Sequence, residues 1–210
     1  MDLRLESYIE SHIDAEPPHL RRINRAANLR LVNGRMVSGH VQGRLLKMLT
    51  QMINPRKALE LGTFAGYSAL CIAEGMADDA ELHTVEIDDE LEDFIRGNLS
   101  SDPCGRKVTL HIGDAVEVIG RFADGELDMV FIDADKREYT AYYEAVKPKV
   151  RGGGYIIADN TLWDGHVVED SRHSPQTAGV LAFNALVAAD GDVEKVIVPL
   201  RDGLTLIRKK

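Results

Sequence analysis

The sequence predicts a protein of the α/β class, with a doubly wound sheet of about seven strands that is mostly parallel and contains one reversed strand. Short apolar runs alternate with helix-length segments along the middle of the chain, a pattern typical of parallel sheets wrapped by helices. Only three residues separate the last two runs. Because this gap is too short for a crossover helix, these two strands should pair as an antiparallel hairpin.

The predicted strands are the seven apolar runs. The first five are apolar at most positions, as expected of strands that are covered on both faces. The last two are joined by a segment that contains Asp-Gly, which favours a tight turn. The runs occupy 58–61, 82–86, 108–112, 129–133, 155–159, 195–200 and 204–208.

A helical segment precedes the strands. Helical periodicity covers residues 5–13, 18–30 and 40–53, and the pair Pro17-Pro18 suits the start of a helix. A chain of 210 residues fits one domain, and no repeat, low-complexity stretch or linker divides it. We therefore predict a single domain over 1–210, with a helical cover at 1–53 and a ligand-binding α/β core at 54–210.

Composition excludes several classes of function. The formal net charge is -9, and an acidic surface repels phosphate backbones, so nucleic acid is a poor partner. The apolar runs fall far short of the ~20 residues of a membrane span, and the N-terminus lacks the pattern of a secretory signal. Two cysteines, Cys71 and Cys104, make no disulfide framework. These features predict a cytoplasmic protein that binds neither membrane nor nucleic acid.

The first strand ends in a glycine-rich turn. In open α/β sheets, ligands bind beyond the carboxyl ends of the strands. Glu60, Gly62 and Gly66 form a Glu-x-Gly-x-x-x-Gly pattern, which differs from the Gly-x-Gly-x-x-Gly of dinucleotide sites. An acid there would repel a pyrophosphate and suits a cationic group such as an ammonium or a sulfonium. The alternative is a plain strand–helix turn.

Acids also follow the second and third strands. Glu86 lies roughly 20 residues beyond the glycine turn, where an acid commonly binds both hydroxyls of a ribose; the alternative is a member of the acidic run at 88–90. Asp114 could accept a hydrogen bond from an adenine amino group. It could equally cap the helix predicted at 115–122, with Glu117 completing a capping box, and the two roles are compatible.

Oxygen ligands follow the fourth and fifth strands. Asp133 ends one run, and Asp159 and Asn160 end the next. If these strands are neighbours, the three side chains converge, because adjacent strands lie ~4.8 Å apart. Three hard oxygen ligands suit Mg²⁺ rather than Zn²⁺, which prefers His or Cys. The alternative for each acid alone is a turn residue.

The charges that follow Asp133 have separate interpretations. Lys136 comes one turn later, so that one side chain could bind a cation while the other faces a bound hydroxyl as a general base. The alternative for Lys136 is a solvated lysine at a helix start. Asp135 is predicted to cap the helix, with Glu138 closing a capping box.

Taken together, these segments resemble a known family. The order LELGTFAGYSAL, HTVEID, GDA, FIDADKREY, ADNTLW and RDGLTL is similar to that of the metal-dependent class I S-adenosylmethionine O-methyltransferases, in the catechol and caffeoyl-coenzyme A branch with small bacterial members. The resemblance runs from about Met36 to the C-terminus. It implies a Rossmann-like fold and cation-dependent methyl transfer to a catechol-type (vicinal dihydroxyphenyl) small molecule. It also implies Mg²⁺ (or Mn²⁺ or Ca²⁺) as the cation and a homodimer.

The resemblance also implies roles for individual residues. The cofactor S-adenosylmethionine would contact Met36, Val37, Ser38, Glu60, Gly62, Ser68, Glu86, Asp114, Ala115 and Asp133. The cation would be bound by Asp133, Asp159 and Asn160. Lys136 would be the general base, with Asp133 the second catalytic residue. Residues near the acceptor would be Lys136, Trp163 and His40, although Trp163 could instead be a lid residue and His40 a residue of the pocket rim.

Two departures from the family bear on the acceptor. Residues 38–41 read Ser-Gly-His-Val where relatives usually carry a proline-containing turn, and Arg201 stands where bacterial relatives often have a small residue. Residues 164–176 are predicted to form a mobile loop. Two other functions fit the same fold class: a nicotinamide-dependent oxidoreductase, and a non-catalytic dimer that binds S-adenosylmethionine.

Overall fold

The computed structural model describes residues 3–169 and 173–210. Within them, the strands form one seven-stranded sheet in the order β3-β2-β1-β4-β5-β7-β6. β7 runs antiparallel to both of its neighbours, and the other pairings among β1 to β5 are parallel. The predicted fold class is therefore confirmed. The strands are β1 Lys57–Leu61, β2 Glu81–Glu86, β3 Val108–Ile112, β4 Leu127–Ile132, β5 Val150–Asp159, β6 Val193–Val198 and β7 Leu204–Lys209.

Helices cover both faces of the sheet. The α-helices are α1 Leu3–Ser11, α2 Pro18–Arg30, α3 His40–Ile53, α4 Tyr67–Gly75, α5 Glu92–Leu99, α6 Ala115–Ile119, α7 Tyr139–Lys149 and α8 Pro175–Ala189. Short 3₁₀ turns lie at Gly34–Met36, Asp89–Leu91, Pro103–Lys107, Lys136–Glu138 and Trp163–Val168. Pro18 is the first residue of α2, as the sequence predicted. None of the helices in the described residues is both long and apolar enough to cross a bilayer.

The core divides between the two faces of the sheet because successive strand residues point to opposite sides. On one face, Ala58 and Phe131 pack with residues of α2, α3, α4 and α5. On the other face, Leu59 and Ile132 pack with residues of α6, α7 and α8. The helices α2 and α3 of the predicted cover thus share a hydrophobic cluster with the strands.

The strand order reverses between β1 and β4, the two strands at the centre of the sheet. Connections from β1 lead outwards to β2 and β3, whereas β4 leads outwards to β5. The loops that follow β1 and β4 therefore diverge and leave a crevice at the carboxyl ends of the strands. Candidate site residues that follow β1, β2, β4 and β5 all lie along this edge.

Three local predictions need correction. β3 lies at the edge of the sheet and is only partly buried, so its apolar run does not reflect cover on both faces. The predicted loop at 164–176 contains the 3₁₀ turns of Trp163–Val168 and the first residues of α8; residues 170–172 lie outside the described residues. Asp135 caps its helical turn by accepting from Arg137 N, and its side chain pairs with the Arg137 guanidinium, so the expected box with Glu138 does not form.

Candidate active site

The glycine turn after β1 packs directly against the end of β4. The Asp133 N–H donates to the Leu61 carbonyl at 2.8 Å. Gly62 follows with a φ of 94°, and a Cβ on Gly62 would overlap the Asp133 carbonyl oxygen. Glycine is required here both for the backbone conformation and for the close approach of the two backbone segments. The contact fixes the start of the glycine turn relative to Asp133.

Glu60 presents a buried and incompletely bonded carboxylate. The side chain is fully buried, and its Oε2 accepts a hydrogen bond from the Thr84 hydroxyl at 2.5 Å. Its Oε1 has no hydrogen-bond partner. Burial raises the pKa of Glu60 to about 8, although the hydroxyls of Ser68 and Thr84 oppose the shift. A buried acceptor without a donor is costly, so this carboxylate suits a ligand that brings a cationic N–H group.

Glu86 is oriented by two backbone amides. Its Oε2 accepts from Phe64 N at 2.7 Å, and its Oε1 accepts from Asp88 N at 3.0 Å. Phe64 belongs to the glycine turn, so the carboxylate bridges the ends of β1 and β2. A carboxylate has about four acceptor positions, and two therefore remain for the vicinal hydroxyls of a ribose.

The ends of β2 and β3 also carry exposed apolar side chains. Asp114 caps α6 by accepting from Glu117 N at 3.0 Å, as the sequence predicted, and its second oxygen makes no such bond. Ile87 follows Glu86 directly and is 72% exposed, and Val116 of α6 is 42% exposed. Exposed apolar residues beside two acids suit a flat, partly apolar ligand group such as a purine.

The segment before α3 lies partly in the core. Val37 and Ser38 are buried, whereas Met36 is 58% exposed. A Cβ on Gly34 would overlap the α2 backbone, so this segment packs closely on that helix. His40 begins α3, and its Nε2 lies 2.6 Å from the Asp14 carbonyl. The His40 ring is therefore tied to the connection between α1 and α2.

Lys136 and Asp133 contact each other. The Lys136 Nζ lies 2.8 Å from Asp133 Oδ1 and 2.7 Å from the Tyr139 hydroxyl oxygen. The Tyr139 hydroxyl in turn lies 3.0 Å from the Asp159 carbonyl and 3.2 Å from the Ile132 carbonyl. Lys136 is only 7% exposed. It is therefore a buried, ion-paired lysine rather than the solvated lysine of the alternative interpretation.

Asp159 is held by a second pair of donors. Its Oδ2 accepts from the Gln42 amide at 2.6 Å, and its Oδ1 accepts from Asn160 N at 2.8 Å. Burial raises the pKa of Asp159 to about 6, and the nearby negative charge of Asp133 contributes to the shift. The neighbouring strands β4 and β5 thus bring the two carboxylates together, as the sequence predicted.

Asn160 completes a set of oxygen donors. It adopts a φ of 56°, which is uncommon for residues other than glycine and tolerated best by Asn and Asp. Its Nδ2 lies 3.4 Å from Asp202 Oδ2, which leaves the amide oxygen available. No three His, Cys, Asp or Glu side chains form a metal site anywhere in the described parts of the chain. The candidate set consists of two carboxylates and this amide oxygen, a donor set that suits Mg²⁺.

The loop that carries Trp163 is bonded to the β6–β7 hairpin. Thr161 N donates to the Gly203 carbonyl at 3.1 Å, and Trp163 N donates to the Asp202 carbonyl at 3.2 Å. Trp163 has a φ of 46° and is partly buried. The hairpin and the loop after β5 therefore form one unit beside Asp159.

Sequence reasoning missed three side chains of the site: Gln42, Thr84 and Tyr139. Gln42 and Asp159 are 117 residues apart, and no local pattern links them. Thr84 could have been found, because it lies opposite Glu60 in the parallel β1–β2 register and points to the same face. Tyr139 could have been found from its spacing of three residues from Lys136.

Comparisons with known proteins identify the family. Residues 10–210 match the family model described as O-methyltransferase. A catechol O-methyltransferase of Niastella koreensis is 32% identical over 162 residues, which covers 76% of this chain and 73% of that protein. Caffeoyl-CoA O-methyltransferase 2 of Zea mays is 34% identical over 185 residues, which covers 83% of this chain and 70% of that protein. The crystal structure of the O-methyltransferase TomG from Streptomyces achromogenes, in complex with SAM, has a TM-score of 0.89 and 25% identity, covering 99% of this chain and 96% of that chain.

The fold and these matches define a class I methyltransferase, an enzyme that takes its methyl group from S-adenosylmethionine. The chain belongs to the O-methyltransferase family. It is an S-adenosylmethionine-dependent O-methyltransferase, which confirms the resemblance seen in the sequence and excludes the nicotinamide-dependent oxidoreductase. The roles of individual site residues stay predictions.

Proposed function

We propose that this enzyme transfers a methyl group from S-adenosylmethionine to one hydroxyl of a catechol-type small molecule, with the help of a divalent cation, Mg²⁺ in the first place. One observation carries the proposal. Buried Lys136 lies 2.8 Å from the Asp133 carboxylate, beside Asp159 at the end of the neighbouring strand. A proton acceptor and a set of hard oxygen donors thus meet at the ligand edge of the sheet, the edge formed by the carboxyl ends of the parallel strands. The names of the catechol and caffeoyl-CoA relatives support the same acceptor class.

The donor site fits S-adenosylmethionine group by group. The free Oε1 of Glu60 would accept from the methionine ammonium, which also supplies the positive charge that this buried acid lacks. The carboxylate of Glu86 would bind the ribose hydroxyls. Asp114 would accept from the adenine amino group, and Ile87 and Val116 would contact the adenine faces.

The donor set formed by Asp133, Asp159 and Asn160 fits a hard divalent cation. Burial is the main cause of the raised pKa of Asp159, and repulsion from the Asp133 carboxylate adds to it; a cation would offset both effects. When bound, the cation would supply a Lewis acid beside the acceptor, which would favour ionisation of one hydroxyl of a vicinal diol. Gln42 keeps the Asp159 carboxylate oriented through its hydrogen bond to Oδ2.

Lys136 would take the proton of the reacting hydroxyl. In the reaction, the bond from the methyl carbon to the donor sulfur breaks, a bond to the acceptor oxygen forms, and the hydroxyl proton goes to a base. A lysine accepts a proton only as the neutral amine, so Lys136 would first release its own proton to solvent and lose its ion pair with Asp133. Asp133 would also be one of the three residues that hold the cation, together with Asp159 and Asn160. The Tyr139 hydroxyl would then keep Nζ in place.

Most of the rate enhancement would come from positioning, because methyl transfer requires the oxygen to lie in line behind the methyl group. The contact between the glycine turn and the Asp133 backbone fixes the donor site relative to the acceptor site. Strands β1 and β4 are central in the sheet, so this relationship rests on a rigid part of the fold.

The proposal is tested with a panel of vicinal dihydroxyphenyl compounds, assayed with Mg²⁺ and with excess EDTA. Chelation and Asp133→Asn should each abolish most of the activity. Asp135→Asn is the matched control, because Asp135 caps its helical turn two residues away and should tolerate the change. Full activity in EDTA would show that the cation has no part in the reaction, and full activity in Asp133→Asn would show that the Asp133 charge is not needed.

The expected homodimer, the cytoplasmic location and the absence of nucleic-acid and membrane partners stay predictions. The formal net charge of -9 supports the absence of a nucleic-acid partner.

A further inference from the structure

The β6–β7 hairpin brings Arg201 to the ligand edge of the sheet. Leu204 of β7 pairs with Asp159 of β5, so the turn that precedes Leu204 lies beside the end of β5. The carbonyl of Asp202 accepts from the N–H of Leu162 at 2.6 Å, which bonds this turn to the loop that follows the metal-ligand candidates. Arg201 is thereby held at the mouth of the proposed acceptor site.

The backbone of Arg201 is in a conformation that side-chain-bearing residues rarely adopt. Its φ is 49°, in the left-handed region, and its side chain is exposed. Residues held in such conformations cluster at ligand-binding sites, where the surrounding structure maintains them. The turn itself is closed by the Gly203 N–H, which donates to the Leu200 carbonyl at 2.9 Å. The conformation is therefore imposed by an ordered turn.

The guanidinium of Arg201 is connected to the proposed cation site through one side chain. Its Nη1 donates to Gln42 Oε1 at 3.0 Å, and Gln42 Nε2 donates to Asp159 Oδ2 at 2.6 Å. Arginine has five N–H donors, and this contact uses one of them. The others remain available to a ligand bound at the cation site.

Arg201 forms no ion pair, although its charge acts on the neighbouring Asp202, where it partly offsets the rise in pKa that burial causes. Within residues 3–169 and 173–210, no carboxylate oxygen lies at ion-pair distance from its guanidinium. Other arginines of the same half of the sheet are paired: Arg151 with Asp128 at 2.5 Å, and Arg208 with Glu194 at 3.2 Å. In a chain with 34 acidic and 25 basic residues, an exposed arginine at a ligand site that forms no ion pair of its own is a candidate anion-binding group.

We propose that Arg201 is a specificity-determining residue that binds an oxyanion, a carboxylate or a phosphate, on the methyl acceptor. The planar fork of the guanidinium matches both groups through two parallel hydrogen bonds. The preferred acceptor is then an anionic catechol rather than a neutral or cationic one. This inference rests on the proposed catechol methylation and names the class of acceptor within it.

The test compares two acceptors that share a ring and differ in charge, 3,4-dihydroxybenzoate and 3,4-dihydroxybenzamide, with caffeoyl-CoA as the phosphate-bearing arm. The wild-type enzyme should prefer an anionic acceptor in kcat/KM. Arg201→Gln should lower kcat/KM for that acceptor about 10- to 100-fold, the usual loss for a charge-assisted hydrogen bond, and leave the amide nearly unchanged. Arg56→Gln is the control, because Arg56 directly precedes β1 and so lies at the amino ends of the parallel strands, away from the site.

Each outcome has one meaning. If Arg201→Gln lowers kcat/KM only for 3,4-dihydroxybenzoate, the oxyanion is a carboxylate. If it lowers kcat/KM only for caffeoyl-CoA, the oxyanion is a phosphate. An equal loss on the amide overturns the inference, because Arg201 then acts only through Gln42 and Asp159. An unchanged kcat/KM for both anionic acceptors overturns it as well.

Calorimetric binding separates this inference from the proposed function. The benzoate and the amide are titrated into the protein in the presence of S-adenosylhomocysteine and Mg²⁺. If the wild type methylates no catechol yet binds the benzoate in an Arg201-dependent manner, the proposed function fails and the anion site stands. If the wild type methylates both acceptors, and if the wild type and Arg201→Gln bind each acceptor with the same affinity, the inference about Arg201 fails and the proposed function stands.

Discussion

Gly179 of α8 lies in direct contact with the backbone of Lys136: a Cβ on Gly179 would overlap the Lys136 carbonyl oxygen and reach within 2.8 Å of Arg137 Cα. The helix that follows β5 thus supports the turn that carries the proposed base. The Gly179 backbone is helical, so its conformation does not require glycine. The close contact with Lys136 does, because it leaves no room for a side chain.

We expect Gly179→Ala to displace Lys136 and to lower kcat roughly 10-fold or more, since small misplacements of reacting groups are costly. Affinity for S-adenosylhomocysteine should stay the same, because the donor site lies at β1 and β2. The measurements are steady-state kinetics and calorimetric titration. Gly97→Ala is the control: Gly97 is helical, and a Cβ there meets no atom within 4 Å. Equal kcat values in both variants would contradict a positioning role for Gly179.

Replacement of Lys136 tests its role as the base. Lys136→Ala should lower kcat by about 10²- to 10⁴-fold, the usual range for general acid–base catalysis. Tyr139→Phe removes the hydroxyl that lies 2.7 Å from Nζ and should cause a smaller loss of kcat. Lys195→Ala, a change on the edge strand β6, serves as the control. Wild-type kcat in Lys136→Ala would remove the lysine from the mechanism.

The stability of the ligand-free protein should depend on the ionisation of Glu60. Burial raises the pKa of Glu60 from 4.5 to about 8, so the folded protein keeps a proton that the unfolded chain releases. This stabilising contribution is complete below pH 4.5 and is lost as pH rises to about 8. In Glu60→Gln this group no longer titrates. The melting temperature of the variant should therefore fall less between pH 5 and pH 8 than that of the wild type, by about the contribution of one titrating group.

Thermal melts of ligand-free wild type and Glu60→Gln across this pH range provide the measurement. Glu90→Gln is the control, because Glu90 is exposed in the 3₁₀ turn after β2. The Glu60→Gln protein should also bind S-adenosylhomocysteine more weakly, as it lacks the charge that pairs with the ammonium. Identical pH profiles for wild type and Glu60→Gln would show that Glu60 is ionised in the folded protein at neutral pH.

Gln42 should affect the affinity for the cation without binding it. Gln42→Ala leaves Asp159 Oδ2 without its donor, and loss of such an orienting bond typically weakens metal binding about 10- to 100-fold. Titration of Mn²⁺, followed by electron paramagnetic resonance, measures the dissociation constant directly. Gln51→Ala, an exposed position on the same helix, should bind Mn²⁺ like the wild type. Unchanged affinity in Gln42→Ala would show that the bond from Gln42 to Asp159 does not support cation binding.

The sequence predicted the parts of the site that depend on strand order. Glu86 and Asp159 each end a strand, and Asp133 follows one, so the predicted sheet already placed them at one edge. The β4–β5 pairing needed only the usual adjacency of consecutive parallel strands.

The sequence could not predict contacts that tertiary packing creates. Gln42 reaches Asp159 only because α3 packs over the sheet, and this contact spans 117 residues. The direct ion pair between Lys136 and Asp133 was also beyond local patterns, since a spacing of three residues allows contact without requiring it. The unpaired state of Arg201 depends on which acids lie nearby, and only the fold determines that.

The position of β7 has a consequence for biosynthesis. β7 lies between β5 and β6, although residues 204–209 are translated after both of those strands. Until they emerge, β5 has an open edge, and unpaired edges of this kind promote aggregation of nascent chains. The hairpin turn that positions Arg201 and anchors the Trp163 loop is completed in the same step. The covered edge of β5 and the turn that carries Arg201 therefore both depend on the same strand, β7.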